Sequence, residues 1–218
     1  MSDPTLTPDL MVQAYRAGIF PMAESRDSDD LAWIDPHFRG VLPLDGFRIS
    51  RSLARRLRRG GYRVTLDRAF DEVVIACGDR DETWINPMLF SLYRALFAQG
   101  ICHSVEVWEG DDLTGGVFGL HIGAAFFGES MFSRRTDHSK IALAYLTAML
   151  RQAGFALFDT QFLTPHLASL GGREIPRAAY RATLEQALAL DAQFPDESSL
   201  PVSSVWSSGT TQRSTQTS

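Results

Sequence analysis

The chain has 218 residues, 44% of them hydrophobic, enough to build a substantial core in one large domain or two small ones. No apolar run approaches bilayer-spanning length, and Met1 to Leu10 lacks the basic and apolar regions of a secretory signal. The net charge of −5 argues against a generally basic nucleic-acid binder, and Cys77 and Cys102 show neither a pairing pattern nor metal-ligand spacing, as expected of a cytoplasmic protein with free thiols.

Thr7-Pro8 opens a predicted helix through Ala17, stopped by Gly18 and a turn around Pro21. Glu24 to Asp30 reads as an acidic loop, Leu31 to Ile34 as a short strand, and a proline-flanked segment runs on to Leu44. Seven arginines follow between Arg48 and Arg63. With Ser50 as N-cap, Arg51, Arg55, Arg58 and Arg59 fall on one helical face. Like charges repel, so the face either serves a bound anion or is a solvated surface balanced by nearby acids.

Tyr62 to Leu66 alternates as a strand and Arg68 to Cys77 is apolar at helical spacing. Asn86-Pro87 starts a helix whose buried stripe is Leu89, Leu92, Tyr93, Leu96 and Phe97. Ser104 to Glu109 and Leu113 to Leu120 form a hairpin about Gly110-Asp111-Asp112. After Ile122-Gly123 come the apolar Ala124 to Phe127, a helix from Ser139 to Ala153, a strand from Ala156 to Asp159, and helices near His166 to Leu170 and Arg177 to Leu190. An antiparallel meander, a crossing helix and a further strand predict an α+β fold with a mixed sheet. The expected division is a small N-terminal domain over 1–66, a larger one over 67–193, and an unstructured Ser/Thr/Gln-rich tail over 194–218.

Candidate chemistry concentrates between Gly128 and Gln161. Glu129, Asp159 and Gln161 end otherwise apolar elements, where acids and amides are costly unless paired, so a site is one reading and a capped turn with a strand-end Asp the other. The serine in Gly128-Glu129-Ser130 lacks the glycine of a nucleophile elbow, the histidines lack metalloprotease spacing, and no phosphate-cradling glycine loop occurs. The element order is similar to that of acyl-CoA N-acyltransferases, but Ser133 to Lys140 lacks their pyrophosphate-binding loop, which weakens coenzyme A as donor.

A specific resemblance is carried by an ordered set of segments. They are Tyr15 to Pro21, Ile49 to Ser52, Thr83-Trp84-Ile85, His103 to Trp108, Gly128 to Arg134, Ser139-Lys140, Asp159-Thr160-Gln161, and Ala168 to Gly171 with Glu174 to Arg177. In this order they resemble the leucyl/phenylalanyl-tRNA–protein transferases, whose fold is acetyltransferase-related. The resemblance implies an enzyme that needs no cofactor or metal. Leucyl-tRNA and phenylalanyl-tRNA would donate Leu or Phe, less readily Met, to proteins with N-terminal Arg or Lys, marking them for degradation in the bacterial N-degron pathway.

By the same resemblance Gln161 would accept the hydrogen bond of the attacking amine, Asp159 would orient the Gln161 amide, and Glu129 would contact the donor or acceptor amine. Val117, Phe126, Met131, Phe132, Ser133, Leu146 and Leu150 would surround the donor. Trp84 would stack on the terminal adenosine. Met22 stands where many relatives carry Trp. Arg51, Arg55, Arg58 and Arg59 match basic positions that grip the acceptor arm. A coenzyme A-dependent N-acyltransferase and a non-catalytic tRNA-binding module are the rival readings.

Overall fold

The computed structural model describes residues 6–201; positions 1–5 and 202–218, and with the latter most of the expected tail, lie outside the described residues. Helix α1 (Pro8–Arg16) starts where Thr7 Oγ1 accepts the Leu10 N–H, and buries Met11, Ala14 and Tyr15. Strands β1 (Phe20–Ala23) and β2 (Leu31–Ile34) then pair as a separate antiparallel hairpin. This is the small N-terminal part of the fold.

Strand β3 (Phe38–Val41), helix α2 (Arg51–Arg59), strand β4 (Arg63–Leu66) and helices α3 (Phe70–Gly78) and α4 (Pro87–Ala98) follow. The meander is β5 (Cys102–Glu109), β6 (Asp112–Ile122) and β7 (Ala125–Ser133). Then come α5 (His138–Gln152), β8 (Leu157–Gln161), α6 (Pro165–Ser169), β9 (Arg173–Pro176) and α7 (Arg177–Leu188). Seven strands form one sheet in the order β4-β5-β6-β7-β8-β3-β9. Every neighbouring pair is antiparallel except β7–β8. A parallel pair needs a crossover, and α5 supplies it. The protein is therefore α+β with a mixed sheet.

The sheet carries a core on each face. Met11, Tyr15, Val73, Leu89, Tyr93, Phe118, Phe127 and Tyr180 pack on one side, under α1, α3, α4 and α7. Leu53, Leu57, Val117, Phe126, Ile141, Leu146, Leu150, Phe158 and Leu167 pack on the other, under α2, α5 and α6. Phe126 and Phe127, or Val117 and Phe118, go to opposite cores because strand side chains alternate.

Three four-residue strands were not anticipated: β1, β3 and β9. The expected domain boundary at 66 coincides with no break in the sheet, since β3 and β4 both belong to it. The tail is also not loose from residue 194. Phe194 stacks on His103 with ring centroids 3.8 Å apart, and Glu197 pairs with Arg68 at 2.9 Å. Phe194 supplies apolar surface that the polar composition around it conceals.

Candidate active site

Strands β7 and β8 pair from Ala125↔Leu157 to Phe127↔Asp159 and no further. Beyond that point they part. Gly128 sits at the fork, where a Cβ would lie 2.8 Å from the Phe158 ring. A cavity of about 240 Å³ opens here, taking Gly128, Glu129, Ser130 and Met131 from β7 and Phe158, Thr160 and Gln161 from β8.

Glu129 reaches the cavity through a β-bulge. Gly119 lies opposite Gly128 and Phe118 opposite Ser130, leaving Glu129 as the extra residue. A bulge re-aims side chains and reverses alternation beyond it. Phe126 and Met131 consequently pack towards one face, and Phe127 and Phe132 towards the other.

The Glu129 carboxylate accepts the Tyr93 hydroxyl at 2.8 Å and the Gln161 Nε2–H at 3.0 Å. Burial pushes its pKa up to about 7; the tyrosine hydroxyls oppose the rise and the Asp159 charge adds to it. The Tyr15 hydroxyl is buried beside it, and burial followed by the Glu129 charge raises that phenol's pKa well above its ordinary value. Tyr15 makes no hydrogen bond of good geometry among the described residues.

Gln161 has a left-handed backbone, φ +56°, and its N–H donates to Asp159 Oδ1 at 2.8 Å. Gly40 lies opposite Gln161 in β3, and a Cβ there would come within 2.8 Å of the Phe162–Leu163 backbone. Only glycine permits that approach. With Nε2 committed to Glu129, the Gln161 Oε1 accepts no hydrogen bond among the described residues.

Asp159 lies behind the cavity, fully buried. Arg39 Nε and Nη2 grip it at 2.9 and 2.8 Å, and the Tyr180 hydroxyl donates at 2.7 Å. Arg39 Nη1 donates to the Gly18 carbonyl at 3.1 Å, and its guanidinium lies 4.4 Å from the Phe20 ring centroid and 4.6 Å from that of Tyr180. Burial opposes the Arg39 charge, but Asp159 outweighs it and the pKa is raised. From sequence, Asp159 is expected to orient the Gln161 amide, but that side-chain contact is not formed. Asp159 fixes the Gln161 backbone, while Glu129 orients the amide.

Val117, Met131, Leu143, Phe158 and Leu167 give the cavity its apolar lining, with Phe20, Met22, Arg80, Trp84, Thr164 and Phe162 completing it. On α2, Leu53 and Leu57 face the core while Arg51, Arg55, Arg58 and Arg59 are exposed. None of these four has an ion-pair partner among the described residues. The Arg48 N–H donates to the Leu170 carbonyl, which brings the start of α2 beside α6 and hence near the cavity wall at Leu167.

A family model described as leucyl/phenylalanyl-tRNA protein transferase matches residues 41–185, and the model of that family's N-terminal domain matches residues 5–37. The chain belongs to the leucyl/phenylalanyl-tRNA–protein transferase family. A relative of that name from Cereibacter sphaeroides is 60% identical over the full length of both chains. Another from Ruegeria pomeroyi is 62% identical over 87% of this chain and 90% of its own. Among solved structures, the C-terminal domain of a lysylphosphatidylglycerol synthetase from Agrobacterium fabrum aligns at TM-score 0.39 and 11% identity, over 83% of this chain and 63% of that one. A likeness of that size carries no weight for fold or chemistry.

In this leucyl/phenylalanyl-tRNA–protein transferase family member, Glu129, Gln161, Trp84, Val117, Met131 and Met22 line one cavity. Phe126, Leu146 and Leu150 do not; they are buried beneath it, Phe126 standing edge-on to Phe158 at 5.3 Å. Phe132 is turned to the opposite core by the bulge. Ser133 is exposed and structural, its Oγ accepting the Ser139 N–H at the start of α5 and donating to the Arg135 carbonyl. Arg39, Tyr93, Tyr180, Leu143 and Phe162 were missed. Leu143 alone left a signal, one helical turn before Leu146 on the same face. Among the described residues no helix is long and apolar enough to cross a membrane, and no three His, Cys, Asp or Glu side chains could hold a metal.

Proposed function

We propose that the chain transfers leucine or phenylalanine, and less readily methionine, from aminoacyl-tRNA to the α-amino group of cytoplasmic proteins beginning with Arg or Lys, marking them for degradation in a bacterial N-degron pathway. Family membership supports the reaction class, and the Gln161 amide supports the site. Its Nε2 is held by Glu129, so its carbonyl is oriented before substrate arrives, beside an apolar cavity.

The chemistry suits so mild a group. The acceptor's α-amine attacks the ester carbonyl, a C–N bond forms, and the C–O bond to the tRNA ribose breaks. The departing oxygen ends with the proton as a hydroxyl. Ester aminolysis runs downhill, and with a pKa near 8 roughly a tenth of the amine is already neutral at pH 7. Gln161 Oε1 accepts the amine's hydrogen bond and aims its lone pair; it need not remove a proton outright. Asp159 acts through the backbone of Gln161.

An apolar wall of Val117, Met131, Leu143, Phe158 and Leu167 discriminates weakly, about 1–3 kcal/mol per methylene, which suits use of both Leu and Phe. Trp84 offers a stacking surface for the terminal adenosine, and the four exposed arginines of α2 offer phosphate contacts that read no sequence.

The test is transfer of radiolabelled leucine from leucyl-tRNA to a peptide beginning with Arg, beside one beginning with Ala. Labelling of the Arg peptide alone is expected. Binding of the charged tRNA with neither peptide labelled would leave a tRNA-binding module and remove the catalytic roles.

A further inference from the structure

Phe162 follows Gln161 directly and is 44% exposed, among the few large apolar side chains left open to water. It lines the cavity, and its ring stands edge-on to Phe20 with centroids 5.7 Å apart. Its backbone is constrained. The Phe162 N–H donates to the Thr160 carbonyl at 2.6 Å, and a Cβ on Gly40 would lie 2.6 Å from the Phe162 carbonyl carbon. The ring is thus presented on a fixed strand end. A singly exposed apolar side chain is ordinary; what sets this one apart is its place on the cavity lining beside Gln161.

The groups beside it specify the ligand's charge. Gln161 contributes a carbonyl without a partner, Glu129 a carboxylate, and Phe162 the negative face of an aromatic ring. All three attract cations. The part of the cavity around Met131 differs: Arg80 donates to the Met131 carbonyl at 2.5 Å and, with Trp84, forms a cationic and aromatic wall suited to a nucleotide. Charge complementarity therefore points to the end of the cavity formed by Glu129, Gln161 and Phe162 as the acceptor's.

We propose that Phe162 is a cation–π platform for the side-chain cation of the acceptor's first residue and helps to select Arg or Lys there. The inference rests on the acceptor reading above. The attacking amine is held at Gln161, so the side chain on the same α-carbon projects within reach of the next residue's ring. Such a contact is weak at an exposed rim and strengthens as substrate excludes water.

The test uses the full chain and its Phe162→Leu and Phe162→Tyr variants, with leucyl-tRNA as donor and peptides beginning with Arg, Lys or the neutral arginine isostere citrulline. Phe162→Leu is expected to raise KM for the Arg and Lys peptides about 3- to 10-fold. The KM for leucyl-tRNA should stay near wild type, Phe162→Tyr should behave as wild type, and the citrulline peptide should react equally poorly with all three. Equal loss on Arg and citrulline peptides would make the ring a plain apolar contact and overturn the proposal. A rise in KM for leucyl-tRNA in place of peptide would assign the ring to the donor and also overturn it. If the wild type itself fails to prefer Arg over citrulline, the acceptor reading falls first and the platform falls with it.

Discussion

Arg39 and Asp159 form a fully buried bidentate ion pair whose carboxylate also fixes the backbone of Gln161. Position and stability are therefore tied together at Asp159 and separable at Gln161. Asp159→Ala leaves the Arg39 guanidinium buried without its counter-charge, a change that costs about 3–5 kcal/mol. Gln161→Ala leaves that ion pair intact. It removes the cavity-facing amide and its bond to Glu129, and should lower transfer about 10²- to 10⁴-fold at a smaller stability cost of about 1–3 kcal/mol. Urea unfolding alongside the transfer assay checks both. An Asp159→Ala protein as stable as wild type would show that the pair does not hold the strand end.

Glu129 makes the site pH-dependent. Its folded pKa, near 7, lies above the ordinary carboxylate value of 4.5, so the folded state holds the proton more tightly than the unfolded state. The stabilising contribution is full below about 4.5 and is lost as pH rises through about 7. Activity should run the other way. A protonated Glu129 no longer offers the Gln161 amide a charged acceptor, so kcat/KM should fall below pH 7, in addition to the fall from amine protonation. Glu129→Gln should lose the Glu129 part of both dependences. Glu106, buried and also raised to about 7, remains as an internal control for the stability slope.

The arginine face should report itself through salt. Replacing Arg55 and Arg59 by Ala removes exposed, unpaired charges and should reduce the log–log salt slope of tRNA binding by roughly one to two units, with little effect on folding. Arg56→Ala makes the contrasting variant. That side chain bonds Glu109 at 2.6 Å and lies over Tyr62, so its loss should weaken the fold more than the salt slope. An unchanged slope in the double variant would return the face to plain solvated surface.

Elements with a sustained period were legible. The hairpin of β5 and β6, helices α1, α2, α4 and α5, and the Thr7, Ser50 and Asn86 caps follow from local pattern. Strands β1, β3 and β9 are as short as β2 and β4, which were legible. Proline, however, lies within β1, ends β9 and flanks β3 at Pro36 and Pro43, so they read as turns or irregular segments. Within the site, Glu129, Asp159 and Gln161 came from motif order, but their partners did not. Arg39 meets Asp159 across 120 positions of chain, a distance at which no local pattern acts. Phe126, Met131 and Phe132 were grouped as one wall, and the bulge at Glu129, invisible in composition, sends Phe132 to the other face.

The division between cavity wall and core gives a last test. Leu143 lines the cavity, whereas Leu150, two turns further along α5, is fully buried in the core beneath it. Leu143→Phe fills space that a donor side chain would occupy, so it should depress transfer of phenylalanine more than of leucine, by roughly 10-fold or more in relative kcat/KM. Leu150→Ala removes buried methyl groups without touching the wall. It should cost about 2–5 kcal/mol of stability and leave the ratio of leucine to phenylalanine near wild type. Competition between the two charged tRNAs, with urea midpoints measured in parallel, separates the effects. A shifted ratio in Leu150→Ala, with none in Leu143→Phe, would move the pocket deeper, to the position expected from sequence.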